Sequence, residues 1–246
     1  MSLLELSNIT KSFGAIHALQ GVDLRIAPGE AVGLMGDNGA GKSTLVKIIA
    51  GNFPPTSGQV KVEDREVHFH KPLDARKAGI EVVYQDLALA DNLTAAENVF
   101  LGRELRKGWG PFATLEKHAM IERSSELFEE LKSETRPRDL VQKMSGGQRQ
   151  AVAIARTRLS DPKLVIMDEP TAAISVRQVA EVLNLIKRLK ATGHAVILIS
   201  HRMPDVFEVC DRIAVLRRGT KVADKATAET SPEEITGLIT GAIDAA

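Results

Sequence analysis

Apolar and polar residues alternate over VDLRI, Val22 to Ile26, run almost unbroken over EAVGLM, Glu30 to Met35, and alternate again through QVKVEDREVHF. A period of two marks a strand with one buried face, and a short unbroken apolar run marks a strand buried on both, so the first third of the chain predicts strands. Gly14, Pro28 with Gly29, and Pro54 with Pro55 punctuate them, and IEVVY, ending at Tyr84, predicts one more. Beyond Tyr84 the pattern turns helical and rich in Ala, Leu, Glu and Lys, most clearly from Leu115 to Lys132, broken by a KGWGP turn at Lys107 to Pro111. From Leu164 strands and helices alternate: LVIM, then Val176 to Lys190 with apolar residues at 176, 179, 183 and 186, then AVILIS, then IAVL. Strand, helix, strand at that spacing predicts right-handed crossovers and a parallel sheet covered by helices, hence an α/β fold with an inserted helical part. Ala226 to Ala246 reads as a polar, Ala-rich tail with one short helix.

The chain has 246 residues, 43% apolar and 26% charged, enough for one large domain or a core with an inserted subdomain. Lys plus Arg and Asp plus Glu number 32 each, so no bulk field draws the protein onto nucleic acid or anionic lipid, and any polyanion site must be local. No apolar run has the length to span a bilayer, and MSLLELSNITKSFG lacks the basic and apolar regions of an export signal; the expectation is a chain that stays in the cytosol. A lone Cys210, in FEVCDRIAVL, excludes an internal disulfide and a cysteine-based zinc site and reads as a small buried hydrophobe.

Three segments carry candidate chemistry. GDNGAGKST, Gly36 to Thr44, follows the apolar strand ending at Met35 and precedes a helix from Leu45 to Ala50. Gly36, Gly39 and Gly41, with Asn38 and Ala40 between them, let successive N–H groups turn toward a phosphate, Lys42 adds a point charge, and the Ser43 and Thr44 hydroxyls follow, Ser43 placed to ligate magnesium. The bland alternative is a Gly-rich turn. LVIMDEP delivers Asp168 and Glu169 to the carboxyl end of a strand, where open α/β sheets bind ligands; Asp168 would hold magnesium through water and Glu169 would act as general base, against the alternative of a solvated acidic turn. KMSGGQRQ leads into a helix with Ser145 as N-cap, and Gly146, Gly147 and Gln148 expose amides at a second positive helix end; the alternative is a capped helix and nothing more. His68 and His70 alternate onto one strand face as half a metal site with no third ligand in view, and Trp109 lies in a turn.

KMSGGQRQ resembles the signature of ATP-binding cassette (ABC) ATPases, and the motif order resembles that family across nearly the whole chain. The resemblance implies a P-loop NTPase core, residues 1–85 and 161–246, with a mostly parallel sheet and an N-terminal antiparallel β subdomain, and a helical subdomain at 86–160 that carries the signature. It also implies ATP and Mg2+ as ligands: Phe13 stacks on adenine, Ser43, Gln85 and Asp168 attend the metal, and Glu169, His201, Lys42 and Gln85 serve catalysis. Two protomers meet head to tail, a homodimer or a pair with a second ATPase, each enclosing an ATP between its phosphate loop and its partner's Ser145, Gly146, Gly147 and Gln148. The partners implied are integral membrane permease subunits, docked near Gln85, Leu87 and Leu89, and indirectly a periplasmic sugar-binding protein; nucleic acid is not expected, and the location is the cytoplasmic face of the membrane.

GDNGAGKSTLVKIIAG, VVYQDLALADNLTAAENVFLG and DEPTAAISVRQV are similar to ATPases of bacterial importers for ribose, xylose and fructose. One position departs: Ser175 stands where most of the family has aspartate, which keeps a hydrogen bond and loses a charge. Against a regulatory GTPase stands the missing NKxD segment, and against a clamp ATPase the short span from Gln85 to Ser145. A cassette that binds ATP without turning it over is the alternative that shares the fold.

Overall fold

The computed structural model describes residues 2–108, 113–172 and 174–243. In chain order the elements are β1 (Leu4–Phe13), β2 (Ile16–Ile26), β3 (Ala31–Met35), α1 (Lys42–Ile49), β4 (Ser57–Val62), β5 (Arg65–Glu66), α2 (Pro72–Lys77) and β6 (Ile80–Val83). There follow α3 (Ala95–Val99), β7 (Arg106–Lys107), β8 (Thr114–Leu115), α4 (Lys117–Glu130) and α5 (Gly146–Arg158). The last third holds β9 (Leu164–Asp168), α6 (Val176–Ala191), β10 (Ala195–Ile199), α7 (Met203–Val209), β11 (Arg212–Arg217), β12 (Thr220–Ala226) and α8 (Pro232–Thr240). The chain divides into two units, one of Met1–Val82, Pro162–Glu169 and Leu189–Ala246, the other of Val83–Asp161 and Pro170–Arg188.

The first unit contains two sheets. A four-stranded sheet runs β2-β1-β4-β5, its printed pairs all antiparallel, and registers Leu4 with Ile26 and Val62, and Leu6 with Leu24 and Val60. These side chains all point to one buried face. The alternation in β1 then slips: Asn8 takes φ 49°, its N–H donates to Asp23 Oδ1 at 2.7 Å, and the next inward residue is Ile9.

The second sheet has the order β12-β11-β3-β10-β9-β6. β11, β3, β10 and β9 are parallel neighbours, and β12 pairs antiparallel with β11. AVGLM and AVILI are buried at every position, as strands covered on both faces must be, which is why they read as unbroken apolar runs. The register sets Ile199 opposite both Leu34 and Asp168, so the chain leaves β3, β9 and β10 at one edge of the sheet. That edge is where the candidate chemistry begins.

In the second unit α3, α4 and α5 pack on one another. Thr94 caps α3 reciprocally with Glu97: the Glu97 N–H donates to Thr94 Oγ1 at 3.3 Å and the Thr94 N–H to Glu97 Oε2 at 3.0 Å. The Thr94 backbone N–H, and then its hydroxyl, hold the Glu97 carboxyl below the ordinary carboxylate range. The helix expected over Leu115 to Lys132 occupies Lys117–Glu130, and that expected over Val176 to Lys190 occupies Val176–Ala191. Trp109 and the adjoining turn residues lie outside the described residues. Among the described residues no helix is long and apolar enough to cross a membrane.

Candidate nucleotide site

The loop between β3 and α1 is shaped by what surrounds it. Gly36 has φ 150°, and a Cβ there would stand 2.3 Å from the carbonyl oxygen of Leu216 in β11. Gly41 is the N-cap of α1 at φ 104° and offers no side chain to the helix, so the first-turn N–H groups have no side-chain cap. Lys42 folds back over the loop, its Nζ donating to the carbonyls of Gly36 at 2.6 Å and Asp37 at 3.0 Å. Burial pushes the Lys42 ammonium below the ordinary lysine range, opposed by the charges of Glu169, Asp37 and Asp168. Asn38 and Gly39 are exposed, Ala40 is buried, Ser43 is exposed and Thr44 half-buried at the helix start. The loop thus presents backbone donors, a cation satisfied only by neutral carbonyls, and a hydroxyl, a donor set suited to a polyphosphate.

Asp168 ends β9, and Glu169 follows with φ 51°, a left-handed backbone that a side chain rarely adopts. Its N–H donates to the Ile199 carbonyl at 2.9 Å, which fixes the turn against β10. His201, two residues past β10, brings Nδ1 to 2.8 Å from Glu169 Oε2. The approach is out of hydrogen-bond alignment, and Oε2 is buried with no hydrogen-bond partner. A buried carboxylate oxygen without a donor is costly unless something else completes it, and a water or a metal-bound water fits that role. The Asp168 carboxyl lies above the ordinary carboxylate range because burial, then the Glu169 charge, oppose ionisation, while Lys42 and Lys47 favour it. Ser43, Asp168 and the orphan oxygen of Glu169 are hard oxygen donors of the kind Mg2+ takes.

That raised value has a measurable sign. The folded protein holds the Asp168 proton more tightly than the unfolded chain, so this group's contribution to stability is lost as pH rises through its folded pKa. At neutral pH the ionised carboxylate therefore costs stability. Asp168→Asn is expected to raise the Tm of the ligand-free protein at pH 7, a gain that fades as pH falls into the ordinary carboxylate range, and to abolish any extra stabilisation from Mg2+ with nucleotide. Thermal melts across pH check both halves.

In the second unit Ser145 caps α5: its Oγ accepts from the Gln148 N–H at 3.3 Å, and its own N–H donates to Gln148 Oε1 at 3.0 Å. The cap uses the hydroxyl as acceptor and leaves its proton for another oxygen. Ser175 repeats the device on α6, its N–H donating to Gln178 Oε1 at 2.9 Å and its Oγ accepting from the Gln178 N–H at 3.4 Å. Serine at this departing position thus supplies the helix cap that aspartate also supplies. Gly147 is buried, where an exposed amide was expected; a Cβ on it would sit 2.6 Å from Glu181 Oε2, and one on Gly146 would sit 2.7 Å from Ile174 Cγ2. These glycines let the start of α6 lie against the start of α5, a packing role that the motif alone did not disclose. A cavity of about 450 Å3 opens beside Ser145, Gly147, Gln148, Ser175 and Gln178.

Gln85 is exposed two residues after β6. The segment that follows it is tied to α5 and α3. Asn98 accepts from the Ala90 N–H at 2.7 Å and donates to the Ala90 carbonyl at 3.0 Å, Arg156 donates to the Ala88 carbonyl at 3.2 Å, and Arg149 pairs with Asp91 at 3.0 Å. Leu87 and Leu89 are half-buried, whereas Tyr84, Leu101, Leu105 and Leu115 are exposed apolar residues. Phe13 ends β1, 47% exposed, with Phe53 edge-on to it.

The register thus gathers the loop of Gly36 to Thr44, Asp168, Glu169 and His201 at one sheet edge. Phe13 lies at the end of β1 in the same unit, and Ser145, Gly146, Gly147, Gln148 and Gln85 belong to the second unit. His68 and His70 are not on a strand face: they follow β5 in irregular chain, where the ladder with β4 has already ended at Arg65 and Glu66. They line a largely apolar cavity of about 330 Å3 with Pro54, Val60 and Phe69, and among the described residues no group of three or more His, Cys, Asp or Glu side chains is placed to hold a metal ion, at these histidines or elsewhere. Cys210 is buried, and burial pushes its thiol up to about 12, which makes it inert.

A sequence profile described as ABC transporter matches residues 19–172. The xylose/arabinose import ATP-binding protein XylG of Sulfolobus acidocaldarius is 46% identical over 97% of this chain and 94% of its own length. The ribose import ATP-binding protein RbsA of Yersinia pestis is 43% identical over 97% of this chain and 46% of its own length, so the chain spans about half the length of that relative. Among solved structures, a nucleotide-free ATP-binding cassette from an ABC transporter superposes with a TM-score of 0.83 at 28% identity, covering 98% of this chain and 96% of that one.

Proposed function

We propose, since the chain belongs to the ABC transporter family, that it hydrolyses ATP with Mg2+ to drive import of a monosaccharide through separate membrane subunits. The observation that carries this reading is the buried, hydrogen-bond-orphaned Oε2 of Glu169 at the sheet edge that also presents Lys42, Ser43 and Asp168. In this reading Lys42 exchanges the Gly36 and Asp37 carbonyls for the β- and γ-phosphate oxygens, a charge-assisted contact in place of neutral ones. Ser43 and Asp168 would hold Mg2+, with Gln85 as the further ligand that the family resemblance implies, and the metal would supply charge neutralisation for the phosphoryl oxygens. Glu169 orients a water and takes its proton as the water oxygen bonds to the γ-phosphorus and the bond to ADP breaks; His201 stands beside Glu169 and contacts the γ-phosphate.

The second half of the site comes from another protomer. Its Ser145 hydroxyl proton and the first-turn amide of Gly146 meet the γ-phosphate, while Gly147 and Gln148 shape the helix end that presents them, so ATP binds the closed pair by more contacts than ADP can, and hydrolysis reverses closure. Homodimer and pairing with a second ATPase both satisfy this geometry. The segment at Gln85, Leu87 and Leu89 in the second unit is the docking place for a helix of the permease, which keeps the chain peripheral on the cytoplasmic side of the membrane; a periplasmic sugar-binding protein delivers the cargo. The similarity to XylG and RbsA, both named for sugar import, supports the cargo class.

Steady-state phosphate release by the purified chain with MgATP, alone and with its membrane subunits in lipid, tests the reading. Turnover that rises with the permease is the expected result. Binding of ATP without release under both conditions would instead make this a regulatory cassette.

A further inference from the structure

We propose that Lys11 and Phe53 form a bracket behind Phe13 that presents its ring to a purine base, with Lys11 as a positioning residue. The inference rests on the reading above, in which Phe13 stacks on adenine, and adds what orients and polarises that ring. Phe13 is the last residue of β1 and nearly half exposed, a setting in which an unsupported phenyl ring turns freely. It is supported here. Phe53 meets it edge-on, with ring centroids 5.5 Å apart and planes at 90°. The Lys11 ammonium stands over both rings, 5.3 Å from the Phe13 centroid and 4.7 Å from that of Phe53.

The ammonium is itself held, since Nζ donates to the Pro54 carbonyl at 2.7 Å. The segment carrying Phe53 and Pro54 is laced to β1 close by, through the Thr56 N–H to the Thr10 carbonyl at 2.8 Å and the Ser12 N–H to Thr56 Oγ1 at 3.0 Å. Lys11, Phe13 and Phe53 therefore keep their mutual geometry through backbone bonds as well as ring contacts. Phe53 lies four residues past the end of α1, so the loop that cradles phosphate and the ring that would meet the base are linked by one short helix.

A cation over one face of an aromatic ring draws π-electron density toward itself. The opposite face becomes poorer in electrons, and an electron-rich purine stacks on it more strongly than on an unpolarised ring. Lys11 thus selects the face of Phe13 that the base uses and favours purine over pyrimidine nucleotides, without touching the nucleotide.

Calorimetric titration of the full chain with MgATP, MgCTP and inorganic triphosphate tests this in Lys11→Met, Lys11→Arg and Phe13→Ala. Lys11→Met is expected to weaken ATP binding about two- to fivefold, to narrow the ATP-to-CTP preference, and to leave triphosphate affinity unchanged, with Lys11→Arg retaining the original values. The ratio of ATP to triphosphate affinity is the decisive quantity, because a merely structural role would move both together. If Phe13→Ala leaves that ratio unchanged, base stacking on Phe13 fails and the bracket with it. If Phe13→Ala lowers the ratio while Lys11→Met does not, the bracket alone is overturned. An equal loss of ATP and triphosphate in Lys11→Met would assign Lys11 to the phosphates or to the fold and overturn it as well.

Discussion

Glu169→Gln is expected to lower ATP turnover by about 10²- to 10⁴-fold while leaving MgATP binding intact. The two side chains have the same shape, so the turn at φ 51° and the backbone bond to Ile199 persist. What changes is the oxygen pair that accepts the water's proton: an amide has no useful basicity. Binding is protected by a compensation at the site. The Glu169 charge is the second cause that holds the Asp168 carboxyl above its ordinary range, and removing it favours the ionised Asp168 that a metal needs. The same charge supports the Lys42 ammonium against burial, so its removal acts on Lys42 in the opposite sense, and the phosphates then supply the missing negative charge. With hydrolysis blocked, ATP remains as the link between protomers, and gel filtration is expected to show an ATP-dependent dimer that the unsubstituted chain forms only transiently. Phosphate release at the original rate would remove Glu169 from its assigned role.

Much of this site was legible in the sequence because its pieces hang on strands that are buried on both faces. AVGLM, LVIM and AVILIS announce themselves as apolar runs, and parallel pairing then leaves no freedom about which end Asp168 and His201 reach. Elements without that constraint were harder to read. β1 starts as a clean alternation and loses it at Asn8, where the backbone enters the left-handed region and the register shifts. β12 shows no fully buried position at all, so TKVADKA carries no periodic signal, and its place at the sheet edge is set by the antiparallel ladder with β11. His68 and His70 read as one strand face because alternation was assumed to continue past Glu66, which the pairing does not do.

The side chains that act through others were illegible for a different reason. Ser175 is a serine in a loop until Gln178 is seen to complete its cap, and the capping-box spacing of three residues is the signal that was available. Lys11 sits two residues before Phe13, a spacing that only a strand turns into proximity, and Phe53 is forty residues away in sequence. Glycines are the intermediate case. Their number in GDNGAGKST signals a turn around an anion, but which of them the fold cannot spare depends on what faces each Cβ.

Gly36→Ala is expected to abolish useful nucleotide binding, whereas Gly39→Ala in the same loop is expected to be mild. Both glycines have positive φ, 150° and 79°, so both pay a backbone strain on substitution. They differ in space. Around Gly39 no atom lies within 4 Å of the added carbon, while at Gly36 it would meet the Leu216 carbonyl oxygen at 2.3 Å and Ala40 Cβ at 3.1 Å. The obstacle at Gly36 is backbone of a buried strand, which cannot swing away as a side-chain tip can, so the loop itself must move. Overpacking with strain costs about 2–6 kcal/mol here. The carbonyl of Gly36 holds Lys42 Nζ at 2.6 Å, so the displacement reaches the charge that meets the phosphates. If the middle of that cost, about 4 kcal/mol, falls on the binding-competent loop, ATP affinity drops about 10³-fold, against about 5- to 30-fold for Gly39→Ala. Equilibrium titration with MgATP, run beside circular dichroism melts that confirm each variant is folded, separates the two cases. Equal affinities in the two variants would show that the close approach to Leu216 does not shape the phosphate loop.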